Sequence, residues 1–173
     1  MWSVELNLDQ GSEDRVRAVW ASIEARGVES LGSVRGTTYR PHVSLAAFEK
    51  ADEQRLAVAL PPVVGRYVGM PLTLATLGLF LSPSTVAFLG VTPTARLLDL
   101  HRGVHAALDG LVSGSRQLYE PGTFVPHCTL AMGFDDPATV VEAIDADRIP
   151  IHAAVHEVHL VDTSTGRSRL RLA

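Results

Sequence analysis

Residues 40–48, RPHVSLAAF, and residues 125–134, VPHCTLAMGF, are two versions of one phrase. Pro41-His42-Val43-Ser44-Leu45-Ala46 returns as Pro126-His127-Cys128-Thr129-Leu130-Ala131, with a hydroxyl residue two places after each histidine. Each copy lies in a strand-like run, where alternate side chains share a face. His42 and Ser44 therefore project together, as do His127 and Thr129. Val43, Leu45, Cys128 and Leu130 turn the other way, toward a core. The histidines stand at positions 42 and 127 of 173, about half a chain apart. That spacing predicts two related halves facing each other across a groove, with two imidazoles and two hydroxyls converging in it.

Outward from the first copy, residues 4–8 alternate apolar and polar and read as a strand. Ser12 is placed to cap a helix whose apolar stripe is Val16, Val19, Trp20 and Ile23, with Gly27 as its stop. Residues 37–48 read as the first motif strand, and residues 50–60 as a short helix closed by Pro61-Pro62. Residues 70–81 and 86–91 read as strands joined by a hairpin at Ser82-Pro83-Ser84. Residues 94–112 form the longest helix, with Leu97, Leu100, Val104, Leu108 and Leu111 on one face. Residues 122–132 are the second motif strand, 137–146 a helix, 151–162 a strand, and the tail from Thr163 a turn and short strand. Hairpins mixed with single-helix crossovers predict an α+β fold, bilobal, with two pseudo-symmetric lobes of largely antiparallel sheet around a central groove and helices outside. No linker divides the chain, so residues 1–173 are expected to be a single domain of two intertwined lobes.

The composition narrows the function classes. With 46% hydrophobic and 20% charged residues the chain has the make-up of a globular protein. Its net charge of −4 offers no basic footprint for an extended nucleic-acid track, so a nucleotide ligand is expected to be short or gripped at one end. The first residues lack the basic and apolar segments of a secretory signal, and residues 70–81 are too few to span a bilayer. The single cysteine, Cys128, has no internal partner. Together these predict a cytoplasmic protein with no membrane partner, expected as a monomer.

The paired motifs suit phosphodiester chemistry. A neutral histidine takes the proton of the attacking oxygen, while a protonated one supplies the leaving oxygen. Histidine's ordinary pKa, about 6.5, makes both forms accessible near neutrality. Ser44 and Thr129 are placed to donate hydrogen bonds to non-bridging oxygens, where charge builds. The scheme uses no metal and no cofactor.

The two segments resemble the paired His-x-Ser/Thr-x signatures of the 2H phosphoesterase superfamily, and most closely its bacterial 2′-5′ RNA ligase and RNA 2′,3′-cyclic phosphodiesterase branch. The resemblance covers nearly the whole chain. It implies catalysis by His42 and His127 with Ser44 and Thr129 as phosphate clamps, and metal-independent hydrolysis of 2′,3′-cyclic phosphodiesters, on RNA termini or small cyclic nucleotides, to 2′-phosphates. A 2′-5′ RNA ligase, an ADP-ribose cyclic phosphate phosphodiesterase and a non-catalytic nucleotide- or phosphate-binding module are the alternatives. Which histidine is acid and which base stays open. Members of the RNA branch often close the second motif with arginine, where this chain has Met132, and often carry a tyrosine near the C-terminus, where this chain reads GRSRLRLA.

Further candidates share the motif's parity. Arg40 is placed to reach a phosphate, and Phe48 to stack a base, as substrate-binding residues; Tyr39 and Tyr119 are weaker stacking candidates. His101 and His105 have the i, i+4 spacing of a zinc pair but lack the intervening glutamate and a third ligand, so they read as structural. His152, His156 and His159, on the last long strand, also read as structural or solvent-facing. Cys128 reads as an inert core thiol.

Overall fold

A computed structural model describes residues 1–81 and 84–173; the turn expected at Ser82 and Pro83 lies outside them. The chain runs β1 (Trp2–Leu8), α1 (Gln10–Glu24), β2 (His42–Phe48), β3 (Lys50–Ala51), α2 (Glu53–Ala59), α3 (Pro61–Val64), β4 (Pro71–Phe80), β5 (Val86–Val91), α4 (Ala95–Leu108), β6 (Val112–Ser113), β7 (His127–Met132), α5 (Pro137–Glu142), β8 (Ile151–Asp162) and β9 (Arg167–Arg171). It is an α+β fold, and every described strand pairing is antiparallel.

Seven strands form one ladder in the order β2-β1-β8-β4-β5-β7, with β9 on β8, while β3 and β6 make a separate short pair. The long β8 is the shared strand. Its C-terminal half pairs with β1 and β9, and its first four residues pair with β4. The motif strands β2 and β7 end the path and lie against each other. What brings the two repeats together is therefore contact between the two end strands of an open ladder, not adjacency in sequence.

Helices lock this arrangement. α1 begins three residues earlier than a Ser12 cap requires, because Asp9 directly after β1 accepts the Ser12 N–H and becomes the N-cap. Asp9 also accepts the Ala154 N–H, tying the helix start to β8. Val16, Val19, Trp20 and Ile23 are buried as the periodicity predicts. α1 packs on β8 and β7, and α4 packs on β2, so each helix braces the motif strand of the opposite half.

Several element bounds differ from those expected of the sequence. Residues 37–41 and 122–126 are irregular, and the motif strands start at the histidines themselves. Pro41 and Pro126 explain this, since a proline nitrogen cannot join a ladder. Lys50–Ala51 is a strand, and Pro61 starts a new short helix at its first position, where its missing N–H costs nothing. No helix among the described residues is long and apolar enough to cross a membrane.

Candidate active site

Both motif strands carry the same irregularity at the same place. On β2, Asn7 pairs with His42 and Glu5 with Ser44, but the next β1 residue, Val4, pairs with Ala46. On β7, Gly90 pairs with His127 and Phe88 with Thr129, but Ala87 pairs with Ala131. Leu45 and Leu130 are thus the extra residues of two matching β-bulges. A bulge breaks the ladder locally and reverses the parity of the residues beyond it. Side chains from the bracing helices take up backbone acceptors there: His105 Nε2–H donates to the Leu45 carbonyl at 3.1 Å, and Trp20 Nε1–H to the Thr129 carbonyl at 3.2 Å.

The reversed parity decides the fate of Phe48. Simple alternation places it beside His42, but it is fully buried in the core, so it has no access to a ligand. Ahead of the bulge the alternation holds. Val43, Leu45, Cys128 and Leu130 are wholly buried, and Ser44 and Thr129 share the faces of their histidines.

Each imidazole is anchored in the same way. The Nδ1 of His42 lies 2.7 Å from the Arg40 carbonyl, and the Nδ1 of His127 lies 2.6 Å from the Val125 carbonyl. A carbonyl only accepts, so Nδ1 carries the proton in both rings and Nε2 is left to exchange protons. The anchoring carbonyl sits two residues before the histidine in each copy, across the proline. The Pro-His sequence is therefore part of the device that aims Nε2.

The surroundings of the two rings differ. His127 stands among aromatics, with ring centroids of Phe80, Phe88 and Tyr119 at 5.1, 5.2 and 5.8 Å. Burial holds its pKa below the ordinary histidine value; the Val125 carbonyl offsets this in part and the charge of nearby His42 adds to it. His42 instead faces a carboxylate, with Glu5 Oε1 3.6 Å from its Nε2. The Tyr39 ring lies 6.4 Å away, its phenol donating to the Thr163 carbonyl.

Tyr119 lies near the same residues. Its phenol is pushed above the usual tyrosine range by burial and by Glu5, while interaction with the Ser44 hydroxyl pulls it back. The short 3₁₀ helix that carries it, Gln117–Tyr119, is tied to α4, because His101 Nε2–H donates to the Tyr119 carbonyl at 2.7 Å and His101 stacks on Phe124 at 3.9 Å. His101 and His105 thus commit a nitrogen each to backbone carbonyls. No group of three or more His, Cys, Asp or Glu among the described residues is arranged to hold a metal ion.

Cross-strand register adds residues that the motifs do not announce. Glu5 pairs with Ser44 on one side and His159 on the other, and His159 with Arg171. Asn7 lies between His42 and Glu157. His159 therefore lies beside Glu5 and is largely buried, whereas His152 and His156 are exposed. Arg40 is not free for a phosphate: it pairs with Glu13 at 2.8 Å and Glu157 at 3.5 Å. Cys128 is fully buried and its thiol is pushed up to about 12, as an inert core residue requires. Glu5, Asn7 and His159 escape a reading of the sequence because their relation to the motifs lies in strand order, which periodicity along one strand does not carry.

A family model described as the 2′-5′ RNA ligase superfamily matches residues 12–167, nearly the whole chain and both motifs. No curated protein matches the chain significantly.

Proposed function

Since the chain belongs to the 2′-5′ RNA ligase superfamily of 2H phosphoesterases, we propose that it hydrolyses 2′,3′-cyclic phosphodiesters to 2′-phosphates, with His127 as general base and His42 as general acid. The observation that carries this reading is the pair of imidazoles held alike through Nδ1, each with a hydroxyl two residues on.

In this reaction His127 Nε2 removes a proton from water, whose oxygen attacks phosphorus. The bond from phosphorus to the 3′ oxygen breaks, and His42 Nε2–H delivers its proton to that oxygen. Ser44 and Thr129 donate to the non-bridging oxygens, where negative charge accumulates. The assignment of roles rests on the surroundings. Burial among aromatics favours a neutral His127 able to accept a proton. Glu5 offers His42 an anionic partner suited to its imidazolium. Both proton transfers are made by side chains, so the scheme draws on no metal and no cofactor.

The test is a panel of nucleoside 2′,3′-cyclic phosphates, an RNA oligomer ending in a cyclic phosphate and ADP-ribose 1″,2″-cyclic phosphate, each assayed with and without EDTA. Turnover to 2′-phosphates that persists in EDTA is expected. His42→Ala and His127→Ala should each lose at least about 10²–10⁴-fold in kcat, the usual share of positioned acid–base catalysis, while retaining ligand affinity. Wild-type turnover in either variant would dismiss the assignment, and retained binding without any turnover by the wild type would favour a phosphate-binding module.

A further inference from the structure

The matched bulges allow the two halves of the groove to be compared position by position. Glu5, which pairs with Ser44, corresponds to Phe88, which pairs with Thr129; Asn7 corresponds to Gly90. One strand further in, His159 corresponds to Gly78 and Glu157 to Thr76. One backbone plan is therefore dressed twice, once in charge and once in aromatics. On the second half Phe88 covers Gly78 so closely that a Cβ there would meet its ring at 2.3 Å, and no space remains. On the first half a small cleft of about 60 Å³ opens, lined by Glu5, Asn7, Arg40, His159 and Ser168 among others.

Resting on the phosphodiesterase reading, we propose that this cleft is a subsite for an uncharged, hydroxyl-bearing part of the substrate, and that Glu5 and His159 are the specificity-determining residues that read it. Three features point there. The cleft adjoins the reaction centre, since Glu5 is 3.6 Å from His42 Nε2. It is lined by polar groups, because His159 Nδ1 is bonded to Ser168 Oγ at 2.6 Å, its buried Nε2 has the Glu157 carboxylate at 3.2 Å, and Glu5 and Asn7 stand beside it. A hydroxyl both donates and accepts, so it can donate to the Glu5 carboxylate and accept from the Asn7 amide, both of which line the cleft. Finally, its volume admits a group of water size, which needs about 10–15 Å³ of such space.

The charges decide against a second phosphate. Arg40 and Arg171 are the nearby cations, and both are already paired, Arg40 with Glu13 and Glu157, and Arg171 with Glu157 at 3.2 Å. Glu13 and Glu157 take up those two guanidinium groups, while the Glu5 carboxylate, which accepts from the Ser3 hydroxyl, lines the cleft. A further anion would enter a site where both these arginines are already paired and the Glu5 carboxylate lines the wall. The preferred substrate is therefore a small cyclic phosphodiester with a free sugar hydroxyl beside the ring, and a chain continuing through a phosphate is disfavoured.

The experiment compares kcat/KM for adenosine 2′,3′-cyclic phosphate and for the same nucleotide carrying a 5′-phosphate, in wild type, Glu5→Gln and His159→Phe. Wild type is expected to prefer the 5′-hydroxyl form by about tenfold or more, as like-charge juxtaposition in a partly desolvated site requires. Glu5→Gln keeps the shape and removes the charge, so the ratio should narrow to within about threefold whatever happens to the absolute rate. His159→Phe fills the cleft and should raise KM for the 5′-hydroxyl form more than it lowers kcat. Melting temperatures near wild type establish that both variants fold; should His159→Phe fail to fold, the Glu5→Gln ratio decides alone. Equal wild-type rates on the two substrates, or a ratio unmoved by Glu5→Gln, would overturn the subsite while leaving the phosphodiesterase reading intact. Turnover of neither substrate, nor of the wider cyclic-phosphate panel, would overturn both.

Discussion

Ser44 and Thr129 are the residues whose chemistry the sequence states most directly, and they differ in what else they touch. Thr129 is half-buried, two residues beyond an anchored imidazole, whereas Ser44 is buried and engaged by the Tyr119 phenol. If both hydroxyls bind developing charge, Thr129→Ala should lower kcat by about 10²-fold with little change in KM, the usual loss for one transition-state donor. Thr129→Ser should recover most of it. A loss of affinity equal to the loss of rate would instead mark Thr129 as a ground-state contact. The four motif residues are legible because each copy of the phrase carries its own hydroxyl and its own strand pattern. Glu5 and His159 are not. In VELNL a glutamate at a polar alternate position reads as surface, and only the pairing of β1 with both β2 and β8 turns it into a neighbour of His42.

At the level of single elements, the bulges explain both the successes and the errors of pattern reading. Alternation gives side-chain direction correctly up to Leu45 and Leu130, then fails, which is why Phe48 lies in the core rather than beside His42. A bulge leaves no composition signal, since its extra residue is an ordinary leucine. The long helix is legible through Leu108, with Leu97, Leu100, Val104 and Leu108 buried, because 3.6-residue periodicity survives any such defect; Leu111 lies past its end, and residues 112–113 form β6 instead. On β4 and β5 the packing allows a sharper test. Phe88 sits over Gly78, with the Phe80 ring at 4.4 Å and His127 at 5.2 Å, so it has little room to yield. Gly78→Ala places a methyl group where the ring now lies, and overpacking of this kind costs about 1–3 kcal/mol. The expected outcome is a lower denaturation midpoint together with a fall in kcat, as Phe88 is pushed toward His127. A stable variant with unchanged kcat would show that the aromatic wall does not set the position of that imidazole.

Across the whole molecule, buried histidines give stability a pH dependence of one sign. His101, His127 and His159 are each held below the ordinary value of 6.5, first by burial, with their carbonyl or carboxylate partners offsetting only part of it. A histidine depressed in this way binds its proton more readily in the unfolded chain than in the folded one. Stability therefore rises with pH wherever the unfolded form holds the extra proton. It is complete above the ordinary histidine range and drains away as pH falls below about 6.5 toward the folded values. The depressed carboxylates act in the same direction at lower pH. Glu157 is held down despite burial, chiefly by Arg171, and Asp9 despite burial by the Ala154 N–H, so their contribution is lost as pH falls below the usual carboxylate range. Thermal midpoints should be level from about pH 8 to 7, fall from about pH 6.5, and fall again near pH 4. Replacing His101 with glutamine removes one of the three titrating groups and should flatten the first decline while leaving the second in place. A midpoint that held steady down to about pH 5 would mean that these imidazoles protonate without cost inside the fold. The aromatic wall around His127, on which its proposed role as the base depends, would then be open to water.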